Sequence, residues 1–331
     1  MKRLAALLVP ILFTAGLLIY ALAGIDLGAF WTTLLDAQLW VIAPFLVLLT
    51  LFCLSNAQRW ALILRPFGRY STRDVAPSMM IGLAGNNVLP LRIGEIIRTV
   101  IFAKEFGRSR SGVLMTLVVE RALDLVGILL VFATGVILVG DVPSGFKVSL
   151  FLALAGIAAL MLSLILFARF PQVPFGIWTR ASRHLPTRIA KRGDTYLAEL
   201  AKGLESLAMP PAALALLLYS LLRWFIAAAM AWLSVASYGV TLPAGLAMLV
   251  IGVTAVAVSM PSVPGFIGPV QAAFVFALTP FGVTQEVALA ASILFLIGQW
   301  IPVTLTGALY FLSRHYSYRQ IRREAASMED A

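Results

Sequence analysis

The chain has 331 residues, 61% of them hydrophobic and only 12% charged. Soluble domains carry about a quarter charged residues and seldom exceed half apolar, so an ordinary water-soluble protein is excluded. Lys and Arg outnumber Asp and Glu by 25 to 15, a net charge of +10. In so apolar a chain that excess points to basic loops and anionic lipid head groups as partners, with no nucleic acid.

At about 20 residues per crossing, the apolar blocks have room for six to eight spans. The first, Leu4 to Gly24, follows Lys2 and Arg3 and is too long for the apolar region of a signal peptide, so it reads as a retained span. Further full spans fall at Leu39–Leu64, Gly112–Gly140, Val148–Ala168, Pro211–Tyr238 and Val287–Ser313. Between them lie two interrupted blocks. The expectation is an all-α integral membrane protein of about six transmembrane helices plus two broken re-entrant elements. It forms a single membrane domain over 1–331, with approximate halves 1–140 and 141–331.

Basic residues set the orientation. Twenty of the 25 fall at the amino terminus, in 59–73, 104–110 and 169–202, or in the carboxyl tail, and Lys147 stands alone on the other side. The positive-inside rule places both termini in the cytoplasm. The loop 169–210 holds Arg180, Arg183, Arg188, Lys191, Arg192 and Lys202, and its later part carries Leu197, Leu200, Leu204 and Leu207 as one helical stripe. It lies either on the inner leaflet or packed on the bundle as a connector. Cys53 is the sole cysteine, so no intrachain disulfide forms, and His184 and His315 both sit in basic polar segments. Neither a metal site nor a cofactor is expected.

Residues 75–103 are largely apolar, yet basic sequence flanks them on both sides, so the segment enters and leaves by one face. Its middle, Gly85-Asn86-Asn87-Val88-Leu89-Pro90, breaks a helix. A second break occurs at Met260-Pro261-Ser262-Val263-Pro264-Gly265. Here a re-entrant pair over 244–279 entering from outside is preferred, with two spans joined by a tight cytoplasmic turn as the alternative. Pro90-x-x-Ile93-Gly94 and Pro264-x-x-Ile267-Gly268 share one spacing, and Arg59-Trp60 recurs as Arg223-Trp224. Broken helices in corresponding places of two halves suggest an inverted repeat and point to a transporter's binding site.

Four arginines, Arg92, Arg98, Arg121 and Arg223, fall at membrane depth with Glu95, Glu120 and Asp124. A charge there costs about 2.5–3.5 kcal/mol on insertion scales, so such groups pair or face water. Glu120, Arg121, Asp124 and Arg223 are expected to form a supporting network, with Arg92 or Arg98 paired to Glu120 or Asp124 as the purely structural alternative. Asn86, Asn87, Arg92, Glu95, Arg98, Gly265 and Gln271 are the candidate substrate-binding residues. Half-helices starting near Leu91 and after Gly265 would aim two positive ends at a phosphate.

Asn87-x-Leu89-Pro90-x-Arg92-x-Gly94-Glu95-x-x-Arg98, Glu120-Arg121-x-x-Asp124 and Pro264-Gly265-x-x-Gly268 resemble the flippase-like membrane domain of lysylphosphatidylglycerol synthases and its stand-alone relatives. The resemblance implies an inner-membrane protein that moves lipid between leaflets without lysyl transfer, since nothing here resembles the soluble transfer domain. Two positions depart from the family pattern: Phe266 replaces a second Gly, and Gln271 replaces a Glu. The expected function is a flippase for a phosphate-bearing lipid, whether phospholipid, aminoacylated phospholipid or polyprenyl phosphate, and not an enzyme. An intramembrane enzyme acting on a lipid phosphate is one alternative, and a non-catalytic partner of a lipid-modifying enzyme is another. Small residues at Ala227–Ala229 would suit a homo-oligomer.

Overall fold

The computed structural model describes residues 2–314 except 171, 184, 209 and 261. His184, Pro261, His315 and the tail beyond it therefore lie outside the described residues, as do the side chains of Lys2, Arg3, Arg188 and Leu207. Among the described residues all regular structure is helical: α1 Lys2–Leu22, α2 Leu27–Leu35, α3 Ile42–Ile63, α4 Thr72–Val88, α5 Ile93–Glu105, α6 Arg110–Val139, α7 Ser144–Arg169, α8 Gln172–Ser182, α9 Thr187–Ala208, α10 Pro210–Ala236, α11 Ala244–Ser259, α12 Pro269–Leu278 and α13 Gln285–Ser313.

Local chemistry sets many of these boundaries. Asp26 Oδ1 accepts from the amides of Gly28 (2.7 Å) and Ala29 (3.2 Å) to start α2, and the Ser109 hydroxyl accepts from Gly112 N at 3.0 Å to start α6. Ser71 and Asp74 form a capping box on α4. Five stretches are long and apolar enough to cross a bilayer: Leu39–Ile63, Arg110–Val139, Pro211–Ala236, Pro264–Phe281 and Gln285–Ser313. A sixth is added if α1 and α2, bent by 89°, count as one span. That bend was not expected; the break contains Gly24 at φ 81°, and the Asp26 cap starts the second arm. Large apolar side chains stay exposed along the outer faces, among them Leu12, Phe151 and Leu309, as a lipid-facing surface requires.

Both broken segments are hairpins. The α4 and α5 helices cross so closely that a Cβ on Gly94 would lie 2.0 Å from the Gly82 carbonyl oxygen. At about 1.5 Å per residue they reach only some 25 and 20 Å, and both return to the face that carries the basic loops. The second hairpin enters from the opposite face. Gly245, at the start of α11, packs on Gly135 and Leu138 near the end of α6. After α12 the chain emerges beside the start of α7, where Phe281 meets Phe146 at 6.2 Å. Pro264–Phe281 is therefore no single rod, and positive φ at Gly265 (80°), Phe266 (59°) and Gly268 (93°) breaks it.

The two halves correspond element by element. A long helix, a hairpin and a long helix (α3, α4–α5, α6) recur as α10, α11–α12 and α13. The halves also interlock, since α4 lies along α13 and α11 lies along α6. The α3 and α10 helices run antiparallel side by side, tied by Gln38 N to Ser237 O (2.8 Å) at one end and Arg59 Nη1 to Ser220 Oγ (3.0 Å) near the other. On the basic face α9 packs on α6, with Leu204 buried and Ser109 donating to Glu199 at 2.8 Å, so this part of the basic loop is docked on the bundle.

Candidate functional site

Three long helices bring charge to one buried point. From α3 come Asn56, Arg59 and Trp60, from α6 Glu120, Arg121 and Asp124, and from α10 Ser220 and Arg223. Asp124 Oδ1 accepts from Arg59 Nη1 at 2.5 Å and also from Arg223 Nη2. Glu120 is shared between Arg59 (3.3 Å) and Arg98 of α5 (2.7 Å). Arg98 and Arg223 stack their guanidiniums on Trp60 (4.4 Å) and Trp224 (4.5 Å). Buried charge persists only with such partners, because removing one leaves the other unpaired in a medium that cannot solvate it.

The network continues outward. Arg121 donates to Glu95 of α5 at 2.6 Å and to Asp124 at 3.4 Å, and its side chain is 46% exposed. This pair bridges the first hairpin to α6 at the edge of a cavity of about 280 Å³. Asn86, Arg92, Glu95, Trp224, Phe266 and Trp300 are among the residues that line it.

At the cavity's end the two hairpin tips touch. Each tip opens with a proline-initiated turn, Pro90–Arg92 or Pro264–Phe266. Arg92 Nη2 donates to the Val258 carbonyl at 2.5 Å, and the guanidinium lies 5.7 Å from the centre of the Phe266 ring. Among the described residues no carboxylate forms an ion pair with Arg92. A second cavity of about 200 Å³, reaching Pro10 of α1, lies on the other side of Arg92, Asn86 and Phe266. Met260, one of its lining residues, is about half exposed.

Of the residues expected to bind substrate, Asn86, Asn87, Arg92, Glu95 and Arg98 line the larger cavity. Asn87 is also structural, since its Nδ2 donates to Thr304 Oγ1 at 3.0 Å and ties α4 to α13. Gly265 sits where the tips meet, and a Cβ there would come within 3.1 Å of Trp300 Nε1. Gln271 does not join them. It is buried, and its Oε1 accepts from Gly268 N at 2.7 Å, capping its own helix. At the expected second positive helix end Gly268 packs on Thr14 of α1, and its amide is bonded to Gln271 rather than open to a ligand.

Glu120, Arg121, Asp124 and Arg223 do form one network. The structural pairing of Arg98 with Glu120 is present, whereas Arg92 takes no carboxylate among the described residues. Sequence reasoning missed Arg59, counted among the basic loop residues but in fact fully buried. The signal was there in the recurrence of Arg59-Trp60 as Arg223-Trp224, two arginines that converge on one aspartate.

Oppositely inserted broken hairpins around a buried charge cluster and a cavity define a multi-pass α-helical membrane protein. The sequence matches the family described as the lysylphosphatidylglycerol synthase TM region over residues 7–307, and the chain belongs to that family. A search of curated proteins finds no match.

Proposed function

We propose that the protein is a lipid translocase that passes a phosphate-bearing head group through the cavity between the hairpin tips, as a transporter and not an enzyme. The observation that carries this reading is Arg92: a guanidinium between two cavities, held by a carbonyl and a ring but by no carboxylate. Guanidinium binds phosphate oxygens in bidentate fashion, and an uncompensated one at membrane depth is a functional signal. The smaller cavity, with the exposed Met260 in its wall, would supply a sideways path by which a lipid reaches Arg92 with its tail still in the bilayer. The family itself is a membrane domain connected with lipid modification or transport, which agrees with this substrate class.

In this mechanism the head group docks on Arg92, and the exposed Arg121–Glu95 pair rearranges as α5 moves against α6. The basic face would lie in the cytoplasm, with both termini on that side, in a bacterial inner membrane. The experiment is translocation of fluorescent lipids in liposomes reconstituted with the purified protein, beside Arg92→Ala and Glu95→Gln. Movement by the wild type, lost in Arg92→Ala, is expected. A folded wild-type protein that moves no phosphate-bearing lipid overturns the reading.

A further inference from the structure

We infer that the head group carried is a net anion without a compensating cation, so that aminoacylated lipids are poor substrates. This rests on the translocase reading and narrows it. The first ground is charge. Arg59, Arg92, Arg98, Arg121 and Arg223 meet Glu95, Glu120 and Asp124, which leaves the site two positive charges in excess. Arginine does not lose its proton in proteins, so the excess is permanent.

The second ground is the state of the groups that would hold a cation. Each carboxylate is already engaged: Glu120 by Arg59 and Arg98, Asp124 by Arg59 and Arg223, Glu95 by Arg121. An ammonium would have to displace a guanidinium. Aromatic faces are the other receptor for ammonium groups; of the rings in the cavity wall Phe52, Trp224 and Phe266 already face Arg223 or Arg92 and Phe295 packs on Phe45 and Phe274, which leaves Trp300 alone.

The third ground is hydrogen bonding. Among the described residues lining the cavity, four buried polar atoms lack a partner: Arg98 Nε, Arg223 Nε, Trp224 Nε1 and Asn86 Oδ1. Three are donors and one is an acceptor, so a side-chain shift that opens them to the cavity presents mainly donors, which phosphate oxygens accept and the three donors of an ammonium group cannot use.

The test reads binding and transport separately. Purified protein in neutral detergent is titrated with phosphatidylglycerol, a polyprenyl phosphate, phosphatidylethanolamine and lysyl-phosphatidylglycerol of matched chain length, and thermal stabilisation reports affinity. The two anions are expected to bind at least tenfold more tightly than the lysyl lipid, with the zwitterion between them. In Arg92→Glu, which cancels the charge excess, that ratio should fall toward one. Equal or tighter binding of the lysyl lipid by the wild type overturns the inference, as does an unchanged ratio in Arg92→Glu. The same lipids in liposomes test the parent reading: an anion that binds but is not moved faster than in protein-free vesicles defeats the translocase proposal and leaves the charge preference standing.

Discussion

Arg92 and Phe266 occupy the same position of two matching turns, two residues after Pro90 and Pro264, and they touch across the centre of the molecule. Among the described residues they are the two non-glycine positions with positive φ, 54° and 59°. Such backbone costs roughly 1–3 kcal/mol per residue and persists where the surroundings fix it, often at functional sites. The strain and the contact occur together, so the tips hold Arg92 in place rather than letting it reach the nearest carboxylate.

Arg92→Ala is therefore expected to leave the fold intact while stopping transport. Its side chain is held by one carbonyl and one ring, and alanine also adopts the left-handed region. Thermal denaturation in detergent should shift by only a few degrees, against at least a tenfold loss of lipid movement in liposomes. A comparable loss of folded protein would instead make Arg92 a structural residue.

Asp124→Ala should behave in the opposite way. It strands Arg223 in the interior and leaves Arg59 with Glu120 alone, and breaking a buried pair costs about 3–5 kcal/mol. The expected outcome is a large fall in denaturation temperature or in the yield of monodisperse protein, with Asp124→Asn milder. A variant that purifies and melts like wild type would show that the network does not hold α3, α6 and α10 together.

The first hairpin depends on glycine at its crossing. In Gly94→Ala the new methyl meets Gly82 and Asn86 backbone at 2.0 and 2.6 Å, atoms that cannot swing away. Overpacking of this kind costs about 1–3 kcal/mol or more. Gly145→Ala, in the first turn of α7 with no atom within 4 Å, is the control and should be neutral or slightly stabilising. Melting curves of the two variants should separate clearly; coincident curves would mean that the hairpin is looser than its geometry.

Orientation is open to direct labelling. With Cys53 replaced by Ala, single cysteines at Asp141 or Ser144 should react with an impermeant maleimide on spheroplasts. Those at Arg183 or Lys191 should react only after lysis. The reverse pattern would turn the protein over in the membrane.

The hairpins were legible in the sequence because Asn-Asn before Pro90, and clustered Pro and Gly around 264, stop helices inside apolar blocks. Basic residues on both flanks of 75–103 then forced a return to one face. Arg59 was not legible in the same way. It lies one turn from the end of α3, where sequence alone cannot tell an interfacial arginine from one covered by α6 and α10. Gln271 misled for a different reason. A polar residue in the first turn after a break can face a ligand or turn back onto the amide that opens its own helix, as Gln271 does on Gly268, and only the folded structure distinguishes the two.

The interlocking of the halves bears on how the protein is made. The α4 helix lies along α13, and Asp124 draws on Arg223, yet α10 and α13 are synthesised long after α4 and α6. A nascent chain that has inserted only its first half thus carries an unpaired flank and an aspartate short of one partner. Membrane insertion must hold that half in waiting until the last helix arrives, and chains truncated before Gln285 should be cleared by proteolysis rather than accumulate.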